Sequence, residues 1–289
     1  MGRSQKGHNL KGGYRAKKSL GQNFLEDYGV IQDIAEASGA GAESLAIEIG
    51  PGMGALTEEL VQRAGKLVAI ELDRELIPIL RAKFFDKDNL EIINEDVLKV
   101  DMKALLEEQT LPDGSKPKDR VILGNLPYYI TTPIIMGLLE AVLPVRSITV
   151  MVQKEVADRM AAGPGGKDYG VLSLSVAYYA DCVYIRDVGP ECFRPQPKVD
   201  SAVVRLDILS KPPVEVQSKE MLFKTIKAGF GQRRKTLANA LEGGGFGKDA
   251  VSTALRAAEI DPKRRAETLS LQEFARLSDE LMAAQGDAG

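Results

Sequence analysis

Apolar positions along the chain change their spacing several times, and each change marks an element. In residues 28–38, Val30, Ile31, Ile34 and Ala35 recur at the three-and-four spacing of one helix face. Residues 45–49 form a short apolar run that stops at Gly50, and Leu56, Leu60 and Val61 line one face of a helix after it. A second strand is predicted over residues 67–72 and a second helix over 76–84, with Pro78 in its first turns. Residues 90–93 read as a third strand. Residues 120–123 read as a fourth, after a loop carrying Pro112, Gly114 and Pro117. A helix over 134–143 and a fifth strand over 147–152 follow. Short apolar strands alternating with helices predict a mostly parallel α/β sheet covered on both faces.

Beyond Val152 the pattern changes. Residues 154–162 read as a helix, 163–166 as a mobile loop, and 172–180 suit strand or helix equally. Residues 182–188 and 201–209 read as two strands joined by a proline-rich connection, most simply an antiparallel pair at the sheet edge. Lys211, Pro212 and Pro213 mark a boundary. Helices are expected over 222–230, 234–241, 250–258 and 271–283, with Asp261-Pro262 and Ser270 as start signals. The chain therefore divides into an N-terminal arm over residues 1–24, an α/β domain over 25–210 and a small all-helical domain over 211–289. No internal repeat is visible.

Composition narrows the class. A chain of 289 residues with 44% apolar positions can bury two cores and is not disordered. The only histidine is His8 and the only cysteines are Cys182 and Cys192, so no metal site is expected. No apolar run spans a membrane, and the N-terminus has no apolar stretch of a secretory signal. A reducing, cytoplasmic setting and a monomer are the expectations, without a disulfide.

The net charge of −3 and a pI near 5.5 argue weakly against a nucleic-acid partner, yet the basic residues cluster. Residues 1–24 hold Arg3, Lys6, Lys11, Arg15, Lys17 and Lys18 and no acid. That stretch reads as a flexible arm, either a solvated tail or an RNA contact. Arg233, Arg234 and Lys235 stand at a helix start, preceded by Lys219, Lys224 and Lys227, and Lys263, Arg264 and Arg265 form another group. They are either solubilising charges or holders of a phosphate backbone flanking a groove between the domains.

Candidate chemistry collects at the strand ends. In "AIEIGPGMG", Gly50, Gly52 and Gly54 follow a strand and precede a helix, where glycine lets the backbone turn tightly and approach a ligand. The spacing is G-x-G-x-G, unlike the G-x-G-x-x-G of dinucleotide binders. Glu71 ends the next strand about 20 residues on, where a carboxylate accepts from ribose hydroxyls. Asp96 follows the third strand and can accept from an adenine amine; alone it would read as a turn or cap residue. Glu48, inside the first strand, reads as buried support for the glycine loop.

"NLPYY", residues 125–129, follows the fourth strand. An adenine N6 amine is a poor nucleophile because its lone pair is delocalised into the ring. Acceptors that hold its hydrogens turn that lone pair outward. Asn125 Oδ1 is one acceptor, and the Leu126 carbonyl, presented by the rigid Pro127, is a second. Tyr128 offers a face for the base. Phe193, in the proline-stiffened "CFRPQPKVDS", is either a second stacking face or a core anchor.

"QNFL" (residues 22–25), "EIGPGMG", "ELD" (71–73), "NLPYYITTP", "FRPQPKVDSAV" and "GFGQRRKTL" together resemble the ribosomal RNA small-subunit adenine dimethyltransferase family, from about Lys18 to Leu277. The resemblance implies a Rossmann-like class I methyltransferase sheet and S-adenosylmethionine as cofactor. It implies dimethylation of two adjacent adenosines in the 3′-terminal stem-loop of small-subunit rRNA, within a pre-30S particle, consuming four cofactor molecules. By motif, Asn23, Leu25, Gly50, Gly52, Glu71, Asp96 and Asn125 would contact the cofactor. Asn125, Leu126 and Pro127 would form the catalytic turn, and Tyr128 and Phe193 would sandwich the target base. The C-terminal helices would engage the ribosomal particle. A resistance-type large-subunit adenine methylase shares the fold and an "NLPY" region, but "GFGQRRKTL" and "TTP" favour the small-subunit enzyme. The short glycine-rich arm weighs against a mitochondrial transcription-factor relative. The lack of a large target-recognition domain weighs against a DNA methylase, and the glycine spacing against a dehydrogenase.

Overall fold

A computed structural model describes residues 14–232 and 234–286, which form two compact units. One comprises Met1–Ala157 and Val183–Ile208, the other Asp158–Cys182 and Leu209–Gly289. Residues 158–182 thus belong to the same unit as the C-terminal helices.

In chain order the elements begin with β1 (Phe24–Leu25), α1 (Tyr28–Ser38), β2 (Ser44–Ile49), α2 (Ala55–Arg63), β3 (Lys66–Glu71) and α3 (Leu76–Lys83). Next come β4 (Leu90–Asn94), α4 (Met102–Glu108), β5 (Asp119–Asn125), α5 (Thr131–Glu140), β6 (Ser147–Gln153), α6 (Lys154–Ala161) and α7 (Val171–Tyr179). The chain continues with β7 (Ala180–Val188), β8 (Phe193–Arg194), β9 (Ser201–Ile208), α8 (Lys219–Phe230), α9 (Leu237–Gly243), α10 (Lys248–Ala257) and α11 (Leu271–Gly286).

The main sheet has the order β4-β3-β2-β5-β6-β9-β7. Its first five strands run parallel, and β9 joins β6 antiparallel. From β2 the chain builds outward through β3 and β4, then returns to β5 and builds the other way. The order thus reverses between β2 and β5, where ligands of open α/β sheets bind. The apolar runs read from the sequence are buried strands: every residue of β2 is buried, as a strand covered on both faces requires. Helix α1 covers the bounds that its spacing predicts. Asp27 caps it by accepting from Val30 N–H at 2.9 Å, and Val30, Ile31, Ile34 and Ala35 are all buried.

Three local readings change. The ambiguous stretch 172–180 is helical in α7, where seven of nine residues are buried, so its alternation carries no sheet face. Helix α4 lies in a stretch whose pattern predicts no element; Asp101 caps it by accepting from Ala104 N–H. Asp261-Pro262 starts no α-helix: Asp261 Oδ1 takes Lys263 N–H and closes a turn. Ser270 does start α11, exchanging hydrogen bonds with Glu273.

Residues 1–13 of the expected arm lie outside the described residues. The rest of it, residues 14–24, is docked rather than free: Tyr14 and Phe24 are buried and meet edge to face at 6.0 Å. β1 pairs with β8, Leu25 opposite Phe193. Among the described residues no helix is long and apolar enough to cross a membrane.

Candidate active site

The carboxyl ends of β2, β3, β4 and β5 open into one cavity. Asn23, Gly50, Gly52, Glu71, Asp96, Asn125, Leu126, Pro127 and Tyr128 all line it. Nine of the eleven residues that the resemblance assigns to the site therefore converge, although they come from five separate stretches of chain. Leu25 and Phe193 do not: both side chains lie in the hydrophobic core with Val30, Ile34 and Met151, and Phe193 is 0% exposed. Of the two readings made of Phe193, the structure places its ring as the core anchor. Full burial of such a ring contributes about 1.5–3 kcal/mol, which would be lost if it turned out toward a base. Phe24, its neighbour in β1, lines the cavity instead.

The glycine turn is bound to the acid beside it. Glu71 Oε2 accepts from Gly52 N–H at 3.1 Å and its Oε1 from Asp73 N–H at 2.8 Å. Each oxygen keeps acceptor capacity for a ligand diol. Burial pushes the Glu71 carboxyl above the usual carboxylate range, and the two backbone N–H groups pull against that shift. Gly52 has φ +59°, and a Cβ there would stand 2.8 Å from the Phe24 ring, so the cradle tolerates only glycine. Glu48 is buried below the turn and accepts from the Thr57 hydroxyl at 2.7 Å; burial raises it to about 8. It supports the loop and does not line the cavity. Asp96 Oδ1 takes Leu98 N–H at 3.1 Å in a turn, and the residue also lines the cavity.

At the end of β5, Asn125 Nδ2 donates to the Asn23 carbonyl at 3.0 Å. With the nitrogen end of the amide engaged by protein, Oδ1 is the end left for a ligand donor. The Pro127 carbonyl is occupied by Ile130 N–H and the Thr131 hydroxyl, which fixes the turn. The Tyr128 hydroxyl bonds Ser201 Oγ at 2.6 Å, locking the ring, and burial raises its pKa so that it stays protonated.

This frame matches the description "Ribosomal RNA adenine dimethylase" over residues 13–283. The chain belongs to that family. A ribosomal RNA small subunit methyltransferase A of Geobacillus thermodenitrificans is 50% identical over 274 residues, 93% of this chain and 92% of the relative. One of Clostridioides difficile is 49% identical over 267 residues, 92% and 91% of the two chains. Among solved structures, the 23S rRNA methyltransferase ErmE is 27% identical, with a TM-score of 0.67, 90% of this chain and 100% of that one covered. A dimethyladenosine transferase from Plasmodium falciparum shares the fold at 24% identity and a TM-score of 0.72, covering 88% and 95%.

Several residues of the cavity escaped sequence reading. Gln22, Phe24, Leu72, Glu95 and Tyr129 line the cavity, and Asp73 stands behind it with four donors on its carboxylate. "ELD" held the clue to Asp73: a second acid two residues past Glu71 needs cations or donors, and the arm has them. Of the basic groups, Arg264 is bound to Glu273, and Lys224 stands 4.9 Å over the Phe246 ring. Arg233 lies outside the described residues.

Proposed function

We propose that the chain is an S-adenosylmethionine-dependent rRNA (adenine-N6,N6)-dimethyltransferase. Its substrate is the pair of adjacent adenosines in the 3′-terminal stem-loop of 16S rRNA, met in a pre-30S particle in the cytoplasm by a monomeric enzyme. The observation that carries this reading is the Asn125 amide, fixed nitrogen-inward on Asn23 at the lip of a cavity that also holds Glu71 and the glycine turn. Half-identity to relatives named for the small subunit supports the choice of substrate.

The residues present fit the cofactor. Gly50 and Gly52 give the turn its left-handed backbone, Glu71 offers two acceptors to a ribose diol, and Asp96 offers one to an adenine amine. When bound, S-adenosylmethionine supplies an electrophilic methyl group on a sulfonium. Asn125 Oδ1 and the Leu126 carbonyl accept the two N6 hydrogens and turn the nitrogen lone pair away from ring conjugation. Tyr128 stacks on the base, held by Ser201. The alkylated amine is a strong acid, and its proton leaves through an acceptor already bonded to it, so no matched general base is required.

Incubation with radiolabelled S-adenosylmethionine and unmethylated small subunits, followed by nucleoside mass analysis, tests the reading. N6,N6-dimethyladenosine in the 3′-terminal loop is expected. The same product only in large-subunit RNA would instead support the resistance-type activity, for which the likeness to ErmE speaks. Cofactor binding without transfer to either particle would overturn catalysis in favour of an assembly role.

A further inference from the structure

One wall of the cavity comes from far away in sequence: residues 20–24 close it opposite the strand ends. This segment is anchored at two points. Its downstream end joins the sheet pair, Leu25 opposite Phe193. Its upstream end is held by Asp73, 3% exposed, two residues beyond Glu71. Lys17 Nζ donates to Asp73 Oδ1 at 2.7 Å, Gln22 Nε2 donates to Oδ2 at 3.0 Å, and the Tyr14 hydroxyl donates to Oδ2 as well. Gln22 Oε1 in turn accepts Lys17 N–H at 2.7 Å, which closes the loop between the donors. Burial works against the charge on Asp73, but these donors prevail and hold it down to about 2.

What the clamped segment delivers is the Asn23 carbonyl, the acceptor for Asn125 Nδ2. Asn23 is itself fixed by its Nδ2 donating to the Gly21 carbonyl at 3.1 Å. An amide can present either an oxygen or an NH₂ group by a half-turn, and the two faces have opposite polarity toward an amine hydrogen. The geometry assigns Asp73 a positioning role in methyl transfer: by clamping residues 14–22 it keeps the Asn23 carbonyl in place, and that carbonyl makes Asn125 present oxygen rather than NH₂ to the substrate amine. This role rests on the reading of the cavity as the S-adenosylmethionine site and of Asn125 as the amine's acceptor. Asp73 touches no reacting atom; it acts through Asn23 and Asn125.

The test compares the full chain with Asp73→Ala, Asp73→Asn and Lys17→Met, with thermal melting as the control for folding. Amide hydrogen exchange over residues 15–23, measured without any ligand, reads the clamp directly. Single-turnover methylation of undermethylated small subunits reads its consequence. In Asp73→Ala, exchange should speed and the single-turnover rate should drop by about tenfold or more, the scale of a lost charge-assisted hydrogen bond. The KM for RNA should stay unchanged. Lys17→Met, which leaves Asp73 and three of its four donors, should show smaller changes of the same sign. In an Asn125→Ala background, Asp73→Ala should slow the residual rate no further, because the amide it orients is gone. A purely structural role would instead give additive losses, and that result overturns the proposal, as do unchanged exchange and rate. Should Asp73→Ala not fold, Asp73→Asn and Lys17→Met decide by the same criteria. Should the wild-type chain fail to methylate, the active-site reading fails and the positioning role of Asp73 with it, while exchange still shows whether the clamp exists.

Discussion

Tyr128 is held by two independent demands, a ring that faces the cavity and a hydroxyl tied to Ser201 at 2.6 Å. The two demands separate by substitution. Tyr128→Phe keeps the ring and leaves the buried Ser201 hydroxyl without that partner. Activity should stay near wild type while stability falls by about 1 kcal/mol. Tyr128→Ala removes the stacking face, worth about 1–3 kcal/mol per base, and should lower kcat/KM for the RNA by about ten- to a hundredfold. Steady-state kinetics beside thermal melting checks both; equal losses in the two variants would mean that the hydroxyl, not the ring, serves the reaction. Tyr128 was legible in "NLPYY" as a residue of the cavity because that run directly follows an unmistakable strand. Phe193 was not, since an aromatic in a proline-stiffened loop reads alike whether its ring faces a ligand or the core. Only the pairing of Leu25 with Phe193 places it.

At the scale of elements, the turn between β2 and α2 is shaped by what lies against it. Gly52 takes φ +59°, and the Phe24 ring from β1 fills the space where a side chain would begin. Gly52→Ala should therefore act twice, through left-handed strain of about 1–2 kcal/mol and through displacement of Phe24. Titration calorimetry should find S-adenosylmethionine affinity lowered by at least about tenfold, with the melting temperature down by several degrees. Unchanged affinity would mean that Phe24 moves aside freely and that residues 20–24 do not form a firm wall. The glycines, Glu71 and Asn125 were legible because each follows a strand whose apolar run is unmistakable. Helix α4 was missed because seven residues show no sustained period; its capping Asp101 was its one clear signal. The docked segment 14–24 was read as a free arm because its charges are local, whereas their partner, Asp73, is more than fifty residues away.

For the molecule as a whole, Glu48 ties stability to pH. Burial raises its pKa from 4.5 to about 8, so between those values the folded chain holds a proton that the unfolded chain releases. This contribution is complete below the unfolded value and is lost as pH rises through the folded one. Glu48→Gln keeps a neutral acceptor for Thr57 and cannot ionise. Thermal melts across this range should show wild type losing stability toward the alkaline end relative to the variant; parallel curves would mean that Glu48 is ionised in the fold. Sequence by itself determined the alternation of the long sheet strands with their helices, the helical C-terminal region, the family and the positions of Gly50, Glu71, Asp96 and Asn125. Those follow from short-range periodicity and from motifs confined to a few residues. Tertiary structure alone decided that residues 158–182 pack with the C-terminal helices, that Phe193 serves the core, and that Asp73 gathers the N-terminal segment over the cavity. Each of these depends on which distant surfaces meet, and a burial or a long-range hydrogen bond leaves no period in the chain that makes it.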